Sequence, residues 1–165
     1  MDQSFTEMDS KPEISHLQRR EIQAPLAACL IREYAHVLGE DQALEIAARA
    51  IQEDSFSAGQ KMAKQSVKND LAELARVVRE VWAKDGALTL NFVAENEKEL
   101  TFEVQHCCYV DLYEKMGMRD LGFCLSCCRD EAFAHGFNPE ISLSRSQTLM
   151  QGGDCCNFHF TLRTT

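Results

Sequence analysis

Leu88-Thr89-Leu90-Asn91-Phe92 and Leu100-Thr101-Phe102-Glu103-Val104-Gln105 are the stretches where the hydrophobic period changes. Apolar and polar residues alternate in both, the pattern of a strand with one buried face. The mostly polar residues 94–99 between them make a hairpin loop. Upstream the period is helical. Leu17, Ile22, Leu26, Leu30, Tyr34 and Leu38 return every four or five residues, which predicts a helix from about residue 14 with Pro25 at an early turn or kink. Gly39 ends it, and Glu40-Asp41 open a second helix carrying Leu44, Ala47, Ala48 and Ile51 and running on through Phe56 to Met62. Asn69 or Asp70 caps a third, with Leu71, Leu74, Val78, Val81 and Trp82 on its apolar stripe, and Asp85-Gly86 stops it. Downstream, residues 108–117 and 121–135 read as two short helices. Residues 141–149 and 155–163 read as strands, joined by the turn Gln151-Gly152-Gly153-Asp154. Nothing alternates strand, helix, strand. The expected class is therefore α+β: N-terminal helices packed with a mainly antiparallel sheet of about four strands, and two short helices between the strand pairs. The N-terminal helices can serve as a layer on the sheet or as the surface of a homodimer.

The length of 165 residues suits one domain over residues 14–165, preceded by a flexible arm at 1–13. Lys and Arg number 17 against 26 Asp and Glu, a formal charge of −9, so the surface repels phosphate backbones and no nucleic-acid partner is expected. No apolar run approaches the roughly 18 residues of a membrane span, and the polar, acidic start does not read as a signal peptide. The expected location is the cytoplasm, without a membrane partner. Of eight cysteines, seven follow His106, six of them as the adjacent pairs 107/108, 127/128 and 155/156. Without an export signal these are thiols that are buried, metal-bound or reactive, rather than a disulfide framework.

Strand parity places Cys156, Phe158, Phe160 and Leu162 on the core face of the last strand, with Cys155 outward. On the strand before it, Arg145 follows Ile141 and Leu143 on the buried side. A buried guanidinium needs a carboxylate, from the protein or a ligand, unless a register break lets it reach water. Cys107 precedes a helix, where amide groups favour a thiolate, and His106 and Asp111 are placed to tune it; a small buried hydrophobe is the alternative. Cys124 precedes Cys127 and Cys128 by three and four residues, so one helical face can carry two sulfurs, with Asp130 and Glu131 a turn or less beyond. Cys124-Leu125-Ser126-Cys127 is a lone CxxC without a second pair, so no metal is assigned; zinc held by Cys107, Cys127 and Cys156, with Asp130 or a His, is the alternative. Asp154 fits either local turn bonding or a pocket role. His135 reads as a charge partner at a helix end, and Phe123, Phe133, Phe137 and Trp82 read as core.

The ordered combination of His106-Cys107-Cys108-Tyr109, Glu114-Lys115-Met116-Gly117, Cys127-Cys128-Arg129-Asp130, Asn138-Pro139, Arg145-Ser146-Gln147-Thr148-Leu149 and Gly152-Gly153-Asp154-Cys155-Cys156-Asn157-Phe158 resembles the L-2-amino-thiazoline-4-carboxylic acid hydrolase family. The N-terminal half is similar too, from an Arg-containing helix start to Gly59. The resemblance implies an enzyme that hydrolytically opens a 2-amino-thiazoline-carboxylate or related cyclic amidine to an N-carbamoyl-cysteine-type product, with no cofactor. It implies Cys107 as nucleophile or thiolate base and Asp130 or Asp154 as the proton-handling carboxylate. Arg145 would clamp the substrate carboxylate, and Cys127, Cys156 and Tyr109 would shape the binding site. Cys108 stands where Pro is usual, and Asn157 where Asp is, which removes a carboxylate. The competing reading is a module similar to vinyl-reductase-type sensor domains, holding a small molecule and a structural zinc.

Overall fold

The computed structural model describes residues 14–163; the arm expected at residues 1–13 lies outside them. Helix α1 (His16–Leu38) starts on a capping box: the Ser15 side chain accepts from the Gln18 amide, and the Gln18 side chain accepts from the Ser15 amide. Pro25 sits inside α1 without ending it. Pro25 and Glu21 are both exposed, so water can serve the carbonyl that the missing N–H leaves free. The buried face of α1 differs from the expected stripe. Arg20, Ala24, Ala28 and Ile31 point inward, while Ile22, Leu26, Leu30, Tyr34 and Leu38 are exposed. Small residues allow close packing against α2 and α4, which larger side chains would prevent.

Gly39, at φ +88°, alone connects α1 to α2 (Glu40–Gln65), a conformation that favours glycine. Asp70 caps α3 (Leu71–Val77) by accepting from the Glu73 amide, and the chain continues as one π-helical turn over Val78–Trp82. Strands β1 (Leu88–Glu95) and β2 (Glu99–Cys107) form the expected hairpin. After α4 (Cys108–Lys115), the single helix expected over 121–135 is in fact three pieces: α5 (Arg119–Gly122), a π turn over Phe123–Cys127, and α6 (Arg129–Phe137). Strand β3 is shorter than expected, Ile141–Ser144 rather than 141–149. The Asn157 side chain accepts from the amides of Ser146 and Gln147 and so takes that backbone out of the ladder. Strand β4 (Cys156–Leu162) completes an antiparallel sheet in the order β1-β2-β4-β3.

Expected parity holds on β4: Cys156, Phe158 and Phe160 are buried and Cys155 is only partly so. Phe102 on β2 is opposite Phe158, and their rings stack at 4.7 Å. Buried residues of α3 and α6 join this face of the sheet, with Trp82 edge-on to Phe133 at 5.5 Å. Thus α3 and α6 cover the sheet, α2 packs on α6, and α1 lies beyond. A second apolar cluster joins α1 to α4 and α5 through Ala24, Ala28, Tyr113, Leu121 and Leu125. Phe133 and Phe137 are core as expected, but Phe123 is exposed. The α2–α6 contact depends on two glycines: a Cβ on Gly59 would sit 2.2 Å from the Phe133 carbonyl oxygen, and one on Gly136 2.1 Å from that of Phe56. No helix among the described residues is long and apolar enough to cross a membrane.

Candidate active site

Between the two clusters lies a cavity with an internal volume of about 110 Å³. Strand ends and π turns deliver its chemistry. Cys107 comes from the end of β2, Cys156 from the start of β4, Trp82 from the π turn after α3, and Cys127 from the one before α6. A π turn holds an extra residue and so rotates the side chains beyond it, a feature frequent at functional sites. That rotation separates cysteines expected on one face. Cys124 points to the Leu44 carbonyl, and Cys128 donates to the carbonyl of Cys124 at 2.8 Å; Cys127 alone of the three lines this cavity.

Arg145 lies just past β3, yet its side chain stays 10% exposed and meets Asp130, itself 21% exposed, at 2.6 Å. Its second nitrogen donates to the Cys127 carbonyl at 3.0 Å, and the guanidinium lies over the Phe158 ring at 4.8 Å. The carboxylate that parity demanded is thus supplied by the protein. Burial pushes the Asp130 carboxyl upward, against the pull of Arg145, Arg20 and Arg129.

The setting of the sulfurs favours the thiol over the thiolate. Burial pushes Cys107 up to about 11, opposed by the amides of Val110 and Tyr109 at the start of α4. The helix start therefore offers its donors as expected, but the loss of water outweighs them. Burial likewise raises Cys127 and Cys156, and the Leu149 amide donates to the Cys156 sulfur at 3.2 Å. Tyr109 lines the cavity and donates its hydroxyl to the Trp82 carbonyl at 3.3 Å.

Other expected residues lie outside the cavity. Asp154 is exposed and lies away from the cavity; its amide donates to the Gln147 side chain. His106 and Asp111 pair with each other at 3.0 Å on the exposed side of the β2–α4 corner and do not line the cavity. Together with Cys108 they are the one trio of His, Cys, Asp or Glu among the described residues whose ligand atoms gather within 4.8 Å. Cys107, Cys127 and Cys156 share a cavity without converging that closely, so the zinc alternative lacks its ligand cluster. The eight cysteines are free thiols. Asn157 is occupied with Ser146 and Gln147, so its place in the fold is to shape a loop.

The cavity also includes His16, Arg20, Ser55 and Arg129, which the sequence reading missed. Arg20 belongs to the small-residue face of α1, and its spacing from Ala24, Ala28 and Ile31 was the available signal. Ser55 donates to the Arg129 carbonyl at 2.8 Å, and Arg129 pairs with Asp54 at 2.8 Å. Burial, together with Arg20, Arg19 and Arg129, holds the His16 ring down at about 4.

Helices on one face of an antiparallel sheet, closed around a thiol- and guanidinium-lined hollow, define an α+β protein with an internal cavity. The chain belongs to the L-2-amino-thiazoline-4-carboxylic acid hydrolase family, whose model it matches over residues 19–160. Among proteins of curated function none matches it significantly. Its fold is similar to that of the phenol-responsive sensory domain of the transcription activator PoxR with phenol, at 12% identity and TM-score 0.54, covering 91% of this chain and 76% of that one. It is also similar to a trafficking protein particle complex subunit 3 from Naegleria fowleri covalently bound to palmitic acid, at 9% identity and TM-score 0.54, covering 88% and 96%. At such identities the likeness concerns the fold alone.

Proposed function

We propose that the protein hydrolyses a 2-amino-thiazoline carboxylate or related cyclic amidine. The observation that carries this reading is the meeting, in one cavity of a chain of this family, of Cys107, Cys127 and Cys156 with the Asp130–Arg145 pair. Asp130 is the carboxylate beside the thiols and the acceptor for protons; Arg145 orients it. Cys107, with two amides directed at its sulfur, is the nucleophile.

The Cys107 thiol gives its proton to Asp130, and its sulfur bonds to the amidine carbon. The ring C–S bond breaks, and the departing sulfur takes the proton back. The resulting S-linked isothiourea is attacked by water at the same carbon. Release of the Cys107 thiol leaves the carbamoyl group on the opened product, so one water is consumed overall. The protonated resting thiol fits this sequence, since a cationic amidinium beside it favours the thiolate only when substrate is present. Tyr109, Trp82 and Phe158 line the cavity beside these groups and would limit the access of bulk water.

Ring opening frees a thiol, so a thiol reagent follows turnover directly. Cys107→Ser should lower kcat/KM by at least about 100-fold, the low end for losing a group that makes the bond or moves the proton. Turnover near wild type would remove Cys107 from the mechanism. Holding a small molecule without transforming it is the second reading, favoured by the apolar walls of Trp82, Val104, Phe133 and Phe158; saturable thiazoline binding with no thiol release would support it.

A further inference from the structure

Three arginines line the cavity, and two have carboxylate partners: Arg129 with Asp54 and Arg145 with Asp130. Arg20 has none among the described residues. It is 8% exposed, and its guanidinium bonds through Nη1 to the Gln23 side chain at 2.9 Å. A guanidinium has five donors and cannot shed its charge, so burying it this way needs an acceptor from elsewhere. The Asp54 carboxylate, already paired with Arg129, acts on it only weakly. Arg129 is near enough to disfavour its charge, and His16 is a neutral neighbour on the same cavity wall. The hydroxyl of Tyr113, on which both Arg20 and Arg129 act, is buried beside Ser126 without a hydrogen bond of good geometry.

We infer that Arg20 is the anion-binding residue of this cavity and receives the carboxylate of the small-molecule ligand, leaving Arg145 to hold Asp130 at the reacting end. This rests on the cavity being the substrate site proposed above. It assigns the carboxylate to a different arginine from the one the sequence suggested. It also makes a carboxylate on the ligand a condition of tight binding.

Calorimetry on the intact chain tests this without requiring turnover, using 2-amino-thiazoline-4-carboxylate and the same ring without its carboxylate. Wild type should bind the acid at least tenfold more tightly. Arg20→Gln should bind the two alike, and Arg20→Lys should recover part of the preference. Should the Gln variant fail to fold, the Lys variant carries the test, because a point charge without the planar fork should lose affinity for the acid alone. Full preference retained in Arg20→Gln, or in Arg20→Lys where Gln does not fold, overturns the assignment. Preference lost on substituting Arg145 instead also overturns it, while leaving the cavity as the substrate site. Failure of wild type to bind either ring removes the underlying reading, and with it this one.

A separate observation concerns the outer face of α1. Ile22, Leu26, Leu30, Tyr34 and Leu38 are spaced by four and exposed, and Val37 extends them. The row reads alike in both directions about Leu30. Crossing α1 antiparallel with a copy of itself sets Ile22 against the copy's Leu38 and Leu26 against its Tyr34. Arg19 at one end then meets the Glu40–Asp41 end of the copy, so charge is matched as well as shape. Six large apolar side chains, each more than 40% exposed, form the centre of the face, and the polar residues flanking them would complete the roughly 800 Å² per partner of a standard interface. We propose that this face pairs two copies of the chain about Leu30. Sedimentation equilibrium of the full chain should show a dimer, and Leu30→Asp, which places like charges on the two-fold axis, should be monomeric. Exposed Cys29, adjacent to that axis, should form an intermolecular disulfide under mild oxidation. A monomeric wild type, or a dimeric Leu30→Asp, overturns the pairing. So does a chain that dimerises only after removal of residues 1–13, since those residues would then be the face's own cover.

Discussion

Replacing Gly136 with Ala should destabilise the protein, although the same change on an open helix would stabilise it. Alanine is favoured over glycine in a helix by roughly 0.5–1 kcal/mol. Here the new methyl would lie 2.1 Å from the Phe56 carbonyl oxygen and 2.9 Å from the carbon behind it, both backbone atoms. An ordinary contact is about 3.5 Å, so α2 and α6 must part by more than about 1 Å. Overpacking of this kind costs about 1–3 kcal/mol, and a backbone obstacle places this case at or beyond the upper end. The net expectation is a loss of about 2 kcal/mol. A similar loss is expected for Gly59→Ala, whose methyl meets the Phe133 carbonyl oxygen at 2.2 Å. Gly122→Ala is the discriminating control. Its methyl meets the Met150 sulfur at 2.3 Å, but a thioether on a flexible chain can move aside. That change should cost about 1 kcal/mol or less. Urea denaturation of the three variants reads the differences directly. Gly136→Ala as stable as wild type, or Gly122→Ala the worst of the three, would refute the argument from backbone proximity. The same series reports on the site: separating the helices pulls Ser55 from the Arg129 carbonyl, so Gly136→Ala should also weaken ligand binding.

Other perturbations act on the cavity's charges and on the loop beside it. Arg145→Met leaves the Asp130 carboxylate buried without its partner and should cost about 3–5 kcal/mol, less for its residual exposure. A smaller loss in the double variant with Asp130→Asn, measured by denaturation, would show that the stranded charge is the cause. His16, held down to about 4 from 6.5, resists protonation in the folded state. Its contribution is therefore complete above pH 6.5 and lost as pH falls from there toward 4, by at most about 3 kcal/mol and less where water screens the ring. His16→Gln should flatten that part of the stability–pH profile, and an unchanged slope would acquit His16. Asn157→Ala should cost about 1–2 kcal/mol by stranding the Ser146 and Gln147 amides, whereas Asn157→Asp, which still accepts from both, should cost about 0.5 kcal/mol or less by thermal melting.

Elements were legible where local chemistry decides them. The alternation at residues 88–92 and 100–105 announced the hairpin, Asp70 and Gly39 marked helix ends, and parity on β4 correctly turned Cys156 inward. The need of Arg145 for a carboxylate was also readable, because burying an unpaired charge is prohibitive wherever it occurs. The π turns were not readable: one inserted residue rotates the helix without leaving a compositional trace, and it separated Cys127 from Cys124.

By itself the chain of residues determined the α+β class, the family and the inward turn of Cys156, since each follows from pattern over short spans. Tertiary packing alone decided which side of α1 is buried. Hydrophobicity favoured Ile22, Leu26 and Leu30, but close packing turns the face of Ala24, Ala28 and Ile31 inward, and that choice carries Arg20 into the cavity. Asp154 shows the converse. Its motif placed it near the cysteines in sequence, but a turn projects it into water, because neighbouring residues need not share an environment when the backbone reverses between them.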